Sequence, residues 1–454
     1  MDIRHEFSDA ALGDQRLASR LLRLVESLTP DPSASFPDAS QNGAALEGTY
    51  RFLGNENVTP QQILAPHVEA TVVRASATET VIVAHDTTEF GFTGHREGLG
   101  RITTGGHGFF GHYALAVTYD AARRPLGVLG VQTFTRQHAP HPTHHSELRP
   151  LAERESYRWY TLVDEVEAVV AGRVSLLHVM DSEADAYGLL THMIGRRFVV
   201  RAKCDRELVT KEGEILLSER LGELSGHAFR TIPVAARRAS VLKNKKRSPP
   251  REAREAKLNW SATHVKIVAP ARSPKDLPAT LGLNVVHVYE VDAPPGCEPI
   301  DWQLLTTEPI RTRAQVEAII DAYRARWRIE EFFKALKTGC AIEKRQLESL
   351  HALLNALAVF TPLAWQLLLL RTLGRDEAQV PATRCLRPLQ LLLLRRHKDT
   401  RLRPRATVRE AMLAIAALGG HIRNNGDPGW LVLGRGYEKL LQLEEGARLV
   451  SGKM

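Results

Sequence analysis

Between Glu79 and Lys203 the chain runs through strand-like and helical stretches in an order that few architectures accept. Three short runs rich in β-branched residues come first: Thr80–Asp86 (TVIVAHD), Gly111–Asp120 (GHYALAVTYD) and Arg124–Phe134 (RPLGVLGVQTF), separated by glycine and polar turns. A helical pattern over Leu151–Ala171 follows, then a strand over Val174–Asp181, a helix over Ala184–Ile194 and a strand over Arg197–Lys203. Three strands, helix, strand, helix, strand predicts one mixed sheet with helices on both faces.

That order is the order of a ribonuclease-H-like fold, in which the ends of the first and fourth strands are neighbours. Asp86 and Asp181 occupy those two ends. A third acid comes from Ala322–Gly339, read as one continuous helix with two faces. At about 100° per residue, Tyr323, Arg326, Glu330 and Lys337 fall within roughly 60° of one another, while Ala325, Ile329, Phe332 and Leu336 point to a core. Taken alone, the polar face reads equally as solvated surface with an Arg326–Glu330 pair. With two strand-end acids opposite, the three carboxylates form a set of hard oxygen ligands suited to Mg²⁺, with Mn²⁺ as a substitute. Two such ions about 4 Å apart would clamp the attacking and leaving oxygens of a phosphodiester.

The spacing Tyr323-x₂-Arg326-x₃-Glu330-x₆-Lys337, within YRARWRIEEFFKALKTG, resembles the signature of the bacterial DDE transposases of the IS-four family. Further blocks are similar in order and spacing: FSDAALGDQR, GTYRFLGNENV, HDTT, DSEADAY, RFVVRAK, DWQLLTTEP and a late ALGG. The resemblance implies Mg²⁺-dependent cut-and-paste transposition of an insertion sequence by nicking, hairpin formation and strand transfer at inverted-repeat ends. Asp86, Asp181 and Glu330 would be the catalytic metal ligands. Tyr323, Arg326 and Lys337 would hold DNA backbone, and Arg201 and Lys203 would extend toward it. Trp302 matches a tryptophan that stacks on a flipped base, and Arg51 is the best candidate for reading the transposon end. Double-stranded DNA, as ends and as target, is the implied partner, and the active species a homodimer. A structure-specific nuclease of the same fold, or a silent DNA-binding inhibitor derived from a transposase, are the competing readings.

The expected layout is a helical end-binding region over 1–75, the catalytic region over 76–372 with a β-rich insertion at about 205–310, and a helical dimerisation region over 373–454. Length and composition agree with it. The 454 residues exceed one ordinary domain, and 43% hydrophobic content suffices for a large core. The net charge of +8 suits a polyanionic partner without proving one. It is concentrated in Lys243–Lys257 and Arg395–Arg405, both read as basic loops. The apolar stretch Leu353–Leu370 is interrupted by Asn355, Pro362 and Gln366 and reads as a buried helix, so no membrane is expected. The polar start and four scattered cysteines suit a cytosolic, reduced protein, and the resemblance implies a bacterial, nucleoid-associated one.

Three features mimic other chemistry. The histidines of QHAPHPTHH (138, 141, 144, 145) lie among prolines and read as a loop rather than a zinc site. GLGRITTGGHGFFGH, which includes His112, lacks the Gly-Lys-Ser/Thr ending of a phosphate loop, so no nucleotide cofactor is expected. Glu89, Glu183 and Asp185 lie near the key acids and read as supporting or surface carboxylates.

Overall fold

The computed structural model describes residues 3–29, 32–136, 151–234, 240–241, 247–248, 252–376, 379–422 and 427–450. The histidine cluster at 138–145 and much of the basic run at 243–251 lie outside the described residues. Four helices open the chain: α1 (Gln15–Leu28), α2 (Phe36–Ala39), α3 (Gly43–Leu53) and α4 (Pro60–Ala75). Asp14 caps α1, and Thr59 with Gln62 forms a capping box on α4, so both helices start where side-chain oxygens satisfy the first free amides. Buried polar contacts tie these helices to one another and to the rest of the chain. Glu6, nearly inaccessible, accepts from Arg74 Nη1 at 2.7 Å and lies 2.5 Å from His67 Nδ1. Asn355 Nδ2 donates to the carbonyls of Leu53 at 2.9 Å and Val58 at 3.0 Å.

Next come β1 (Thr80–Phe92), β2 (Gly100–Arg101), β3 (His107–Thr118), β4 (Pro125–Phe134), α5 (Tyr157–Val170), β5 (Ser175–Met180), α6 (Tyr187–His192) and β6 (Arg197–Arg201). β1 is antiparallel to β3 and β3 to β4, whereas β1, β5 and β6 run parallel. The spatial order β4-β3-β1-β5-β6 is the ribonuclease-H-like arrangement, so the order of patterns along the chain translated directly into the sheet. Alternation divides its faces. Ile82, Ala84, Leu177 and Val179 enter the main core, while Val81 and Val83 pack with Leu162 and Val166 of α5.

The segment that follows does not form a sheet of its own. β7 (Glu207–Thr210), β8 (Gly213–Leu216), α7 (Leu217–Gly222), β9 (His227–Val234), the small hairpin β10 (Ser240–Val241) and β11 (Arg247–Ser248), β12 (Arg254–Val268), β13 (Thr280–Val291) and β14 (Asp301–Thr306) lead back to the catalytic strands. β14 pairs antiparallel with β6, and β13 and β12 continue outward, giving one twelve-stranded sheet. Arg254–Lys257, read from sequence as the end of a basic loop, is the start of β12: exposed Glu255 and Lys257 alternate with buried Ala256 and Leu258, which is a strand pattern.

The last part is helical: α8 (Arg313–Ala325), α9 (Trp327–Lys334), a π-helical turn Ala335–Gly339, α10 (Leu350–Asp376), α11 (Pro388–Arg396), α12 (Val408–Leu418) and α13 (Trp430–Val450). Among the described residues α10 is the helix long and apolar enough to cross a membrane, and 89% of its most apolar window is buried inside the protein. α13 begins earlier than the expected Gly436 and crosses α12 very closely. A Cβ on Gly436 would lie 1.7 Å from the Ile415 carbonyl, so only glycine fits there. Tyr437, Leu440 and Leu441, within the region expected to support a dimer, are buried against the same chain. Their apolar area is already used.

Candidate active site

β1 forms an unbroken ladder with β3 as far as Phe92, but β5 stops at Met180. Beyond Ala84, which pairs with Val179, one edge of β1 is therefore free of its parallel neighbour. Two residues further along each strand are Asp86 and Asp181, on the face that carries Ala84 and Val179. Parallel register and period-two alternation alone bring these two acids together at the mouth of a cleft. The Thr87 amide donates to Asp86 Oδ1 at 2.8 Å, and the Glu183 amide donates to Asp181 Oδ1 at 2.9 Å. Both carboxylates are thus held by backbone.

The third acid arrives from above on a helix that is not continuous. α8 ends at Ala325, Arg326 is a one-residue break whose amide donates to the Tyr323 carbonyl at 3.1 Å, and α9 begins at Trp327. The Cys340 amide then reaches back five residues to Ala335, giving the π turn. Expecting one regular helix was incorrect, because a local 3.6-residue period cannot show a break repaid by tertiary contacts. The predicted apolar face holds: Ala325, Ile329, Phe332 and Leu336 are all fully buried.

Arg326 Nη1 donates to Asp86 Oδ2 at 2.8 Å, and its Nη2 lies 3.6 Å from Glu330 Oε1. Arg326 and Asp86 are 12% and 13% exposed, so this ion pair is screened little by water. Burial pushes the Asp86 carboxyl up to about 7, with Asp181 and Glu330 adding to the rise and Arg326 opposing it. The arrangement attracts positive charge. Among the described residues no three acids stand close enough to hold an ion as the side chains lie. The guanidinium of Arg326 is the cation between them. Oxygen donors, a carboxyl hard to ionise without a cation, and a cationic stand-in together fit a divalent metal, provided Arg326 releases Asp86.

The raised carboxyl has a measurable consequence. From the ordinary value of 3.8 up to about 7 the folded protein holds a proton that the unfolded chain has lost, so this group lowers stability as pH rises through that window. Asp86→Asn removes the effect. In chelator-treated protein it should be more stable than wild type at pH 8 by about 4 kcal/mol and match it near pH 4. Superimposable pH–melting curves would show that Asp86 is not held in this environment.

The remaining expected residues divide. Tyr323 is buried, and Arg201 forms a hydrogen bond to it. Trp302 stands edge-on to Tyr323, with ring centroids 5.4 Å apart. These residues and Arg326 line one groove of about 730 Å³. Lys337 turns the other way, donating from Nζ to the Glu89 carbonyl at 2.5 Å. Lys203 is exposed and is not among the groove's lining residues. Arg51 is exposed on α3 in an ion pair with Glu47, away from this cleft.

Sequence reading missed most of that groove. Its lining counts seven arginines and one lysine against one glutamate, with Trp302, Trp327 and Trp430 among them. Trp327 is 57% exposed, and Lys334 Nζ lies 5.7 Å from its ring centre. An aromatic on the polar side of an amphipathic helix was the available signal. Arg371, Arg375 and Trp430 come from α10 and α13, which no local pattern connects to the site. Asp185 was also misread. It is buried, accepting from the amides of Lys203 at 2.7 Å and Cys204 at 3.0 Å and from Arg206 Nε at 3.0 Å. His112 is fully buried on the α5 face, its Nδ1 2.9 Å from Thr87 Oγ1.

Paired strand-end carboxylates, a helix-borne glutamate and an adjoining basic groove on a ribonuclease-H-like sheet define a nucleic-acid phosphoryl-transfer enzyme. Residues 77–360 match the transposase DDE domain family and residues 3–58 the transposase DNA-binding family. The chain belongs to the DDE transposases and is a DNA transposase. Among solved structures it is similar to a piggyBac transposase synaptic complex with hairpin DNA, at 10% identity over 82% of this chain and 73% of that one. The TM-score of that superposition is 0.36, and nothing further is drawn from it.

Proposed function

We propose that the protein is a cut-and-paste transposase of the IS-four type, closely resembling the transposase of Tn-five, acting on the inverted-repeat ends of an insertion sequence. The observation that carries this reading is Arg326 set between Asp86 and Glu330, with Asp181 acting on the same Asp86 carboxyl, beside a basic, aromatic-lined groove. In it, residues 1–75 bind the end sequence with Arg51 as a contact, 76–372 perform the chemistry around an insertion at about 205–310, and 373–454 support a homodimer. The site of action is the bacterial cytoplasm, at the nucleoid.

Asp86, Asp181 and Glu330 would hold two Mg²⁺ ions, or Mn²⁺ in their place. The bound ions supply Lewis-acid activation of the attacking oxygen and neutralise charge on the leaving one. Everything else is positioning. Arg326, freed from Asp86, offers a planar donor fork to a phosphate, and Lys337 a point charge. Tyr323 and Arg201 orient the backbone beside them, and Lys203 reaches it from the next turn of chain. Water attacks the phosphorus at the element boundary and the P–O3′ bond breaks, leaving a 3′-hydroxyl. That hydroxyl attacks the phosphorus of the opposite strand, expelling the flanking 3′-oxygen as the hairpin closes; hydrolysis reopens the hairpin and frees the hydroxyl, which then attacks a target phosphodiester and expels the target's 3′-oxygen.

Trp302 supplies a stacking surface for the base that must leave the duplex when the hairpin closes. Stacking on one aromatic ring is worth about 1–3 kcal/mol per base. Trp302→Ala should therefore slow hairpin formation by about 10- to 100-fold while sparing the first nick, measured by resolving nicked and hairpin ends on a denaturing gel. An equal loss in both steps would rule out base stacking as its role.

The functional reading is tested with end-containing duplex, supercoiled target and Mg²⁺. Joined products are expected. Cleavage without joining would favour a structure-specific nuclease, and binding alone a silent inhibitor.

A further inference from the structure

The ladder between β1 and β5 ends at Ala84 and Val179, two residues short of Asp86 and Asp181. That pairing therefore stops before it can fix the distance between the two acids. Each carboxylate is held instead by an amide of its own segment, Thr87 for Asp86 and Glu183 for Asp181. The side chains of these two amide donors meet on one guanidinium. Arg158, in the first turn of α5, donates from Nε to Thr87 Oγ1 at 3.1 Å and from Nη2 to Glu183 Oε2 at 2.8 Å.

Arg158 is itself fixed on every side. Its Nη1 donates to the Glu155 carbonyl at 2.6 Å. The guanidinium carbon lies 5.3 Å from the centre of the Phe134 ring and 5.7 Å from that of Trp159, and the side chain is 13% exposed. Thr87 has a second anchor, with Oγ1 2.9 Å from Nδ1 of the buried His112. Glu183 is 58% exposed, too wet for its ion pair to add much to stability. What the pair adds is geometry. Adjacent nitrogens of one rigid plane impose a spacing on the groups they bind, which the single ammonium of a lysine cannot do.

We propose that Arg158 is a positioning residue: through Thr87 and Glu183 it sets the separation of Asp86 and Asp181, and with it the fit of the pair to divalent metal. The inference rests on the reading of these acids as metal ligands. The sign of the effect separates geometry from charge. Arg158 is a cation close to the acids, so Coulomb repulsion alone predicts that removing it tightens metal binding. Loss of the brace predicts the opposite.

Arg326 pairs with Asp86, so the test titrates Mn²⁺ alone into the full-length chain carrying Arg326→Gln, with bound metal read from the loss of the free Mn²⁺ paramagnetic resonance signal. Adding Arg158→Met should weaken binding at least about tenfold. Thr87→Val should also weaken it, and Thr87→Ser, which keeps the hydroxyl, should not. Once Arg158→Met is present, Thr87→Val should cost no more than about twofold, because the strut they share is already gone. With Arg326 intact, Arg158→Met should raise the Mg²⁺ concentration for half-maximal nicking of an end duplex by a similar factor, the rate recovering as Mg²⁺ is raised. Unchanged or tighter Mn²⁺ binding in Arg158→Met would overturn the proposal. If that variant does not fold, equal binding by Thr87→Val and Thr87→Ser would overturn it instead. Mn²⁺ binding undiminished by Asp86→Asn would sink the metal reading of the acids, and the brace with it.

Discussion

Glu330→Gln is expected to bind the transposon end as wild type does and to nick it slower by a factor on the order of 10³ or more. The substitution keeps the size of the side chain and removes one of three negative charges that converge beside Arg326. On the proposed reading one of the metal-holding carboxylates is lost, while the basic groove is untouched. Folding should be nearly unaffected, because Glu330 is 35% exposed and its contact with Arg326 is long at 3.6 Å. A melting temperature within a degree or two of wild type, alongside lost nicking in single-turnover assays, is the expected pair of results. Nicking at close to the normal rate would remove Glu330 from the chemistry and leave Asp86 and Asp181 without their third partner.

Asp185→Ala should act through stability instead. This carboxylate, fully buried, receives two backbone amides and the guanidinium of Arg206, itself 6% exposed. Removing it strands a buried charge, a change that typically costs about 3–5 kcal/mol. For a protein of this size the melting temperature should fall by about 3–5 °C. Replacing both partners, as Asp185→Leu with Arg206→Met, should recover much of the loss, because the stranded charge goes too. If the single variant melts like wild type, the pair is more hydrated than its burial indicates. The loss would also reach DNA binding, since the loop this network ties down follows directly on Arg201.

The contrast between these two acids shows what local pattern can carry. Asp86 and Asp181 were legible because each ends an apolar run, and parallel register does the rest. Asp185 has the same composition around it, and nothing near it announces that Arg206 will fold back over it. The strand order was readable from alternating periods. The pairing of β14 with β6 was not, because strand partners far apart in sequence leave no local trace. The break at Arg326 and the π turn that aims Lys337 at Glu89 were hidden for a different reason. Both preserve the apolar face, so the periodicity looked uninterrupted. Most of the basic groove was out of reach because α10 and α13 supply part of its wall.

One feature of the sheet bears on how the cut is located. Trp302 lies on β14, and β6 and β5 separate that strand from β1, which carries Asp86. Three strand spacings make that offset about 14 Å, about four base-pair rises of duplex. A base lodged at the indole and a phosphate at the carboxylates are then separated by the pitch of a sheet, which neither stretches nor swings. The enzyme would carry a fixed gauge for the distance from displaced base to scissile bond, and errors in cutting position would require strands to slip register rather than loops to move.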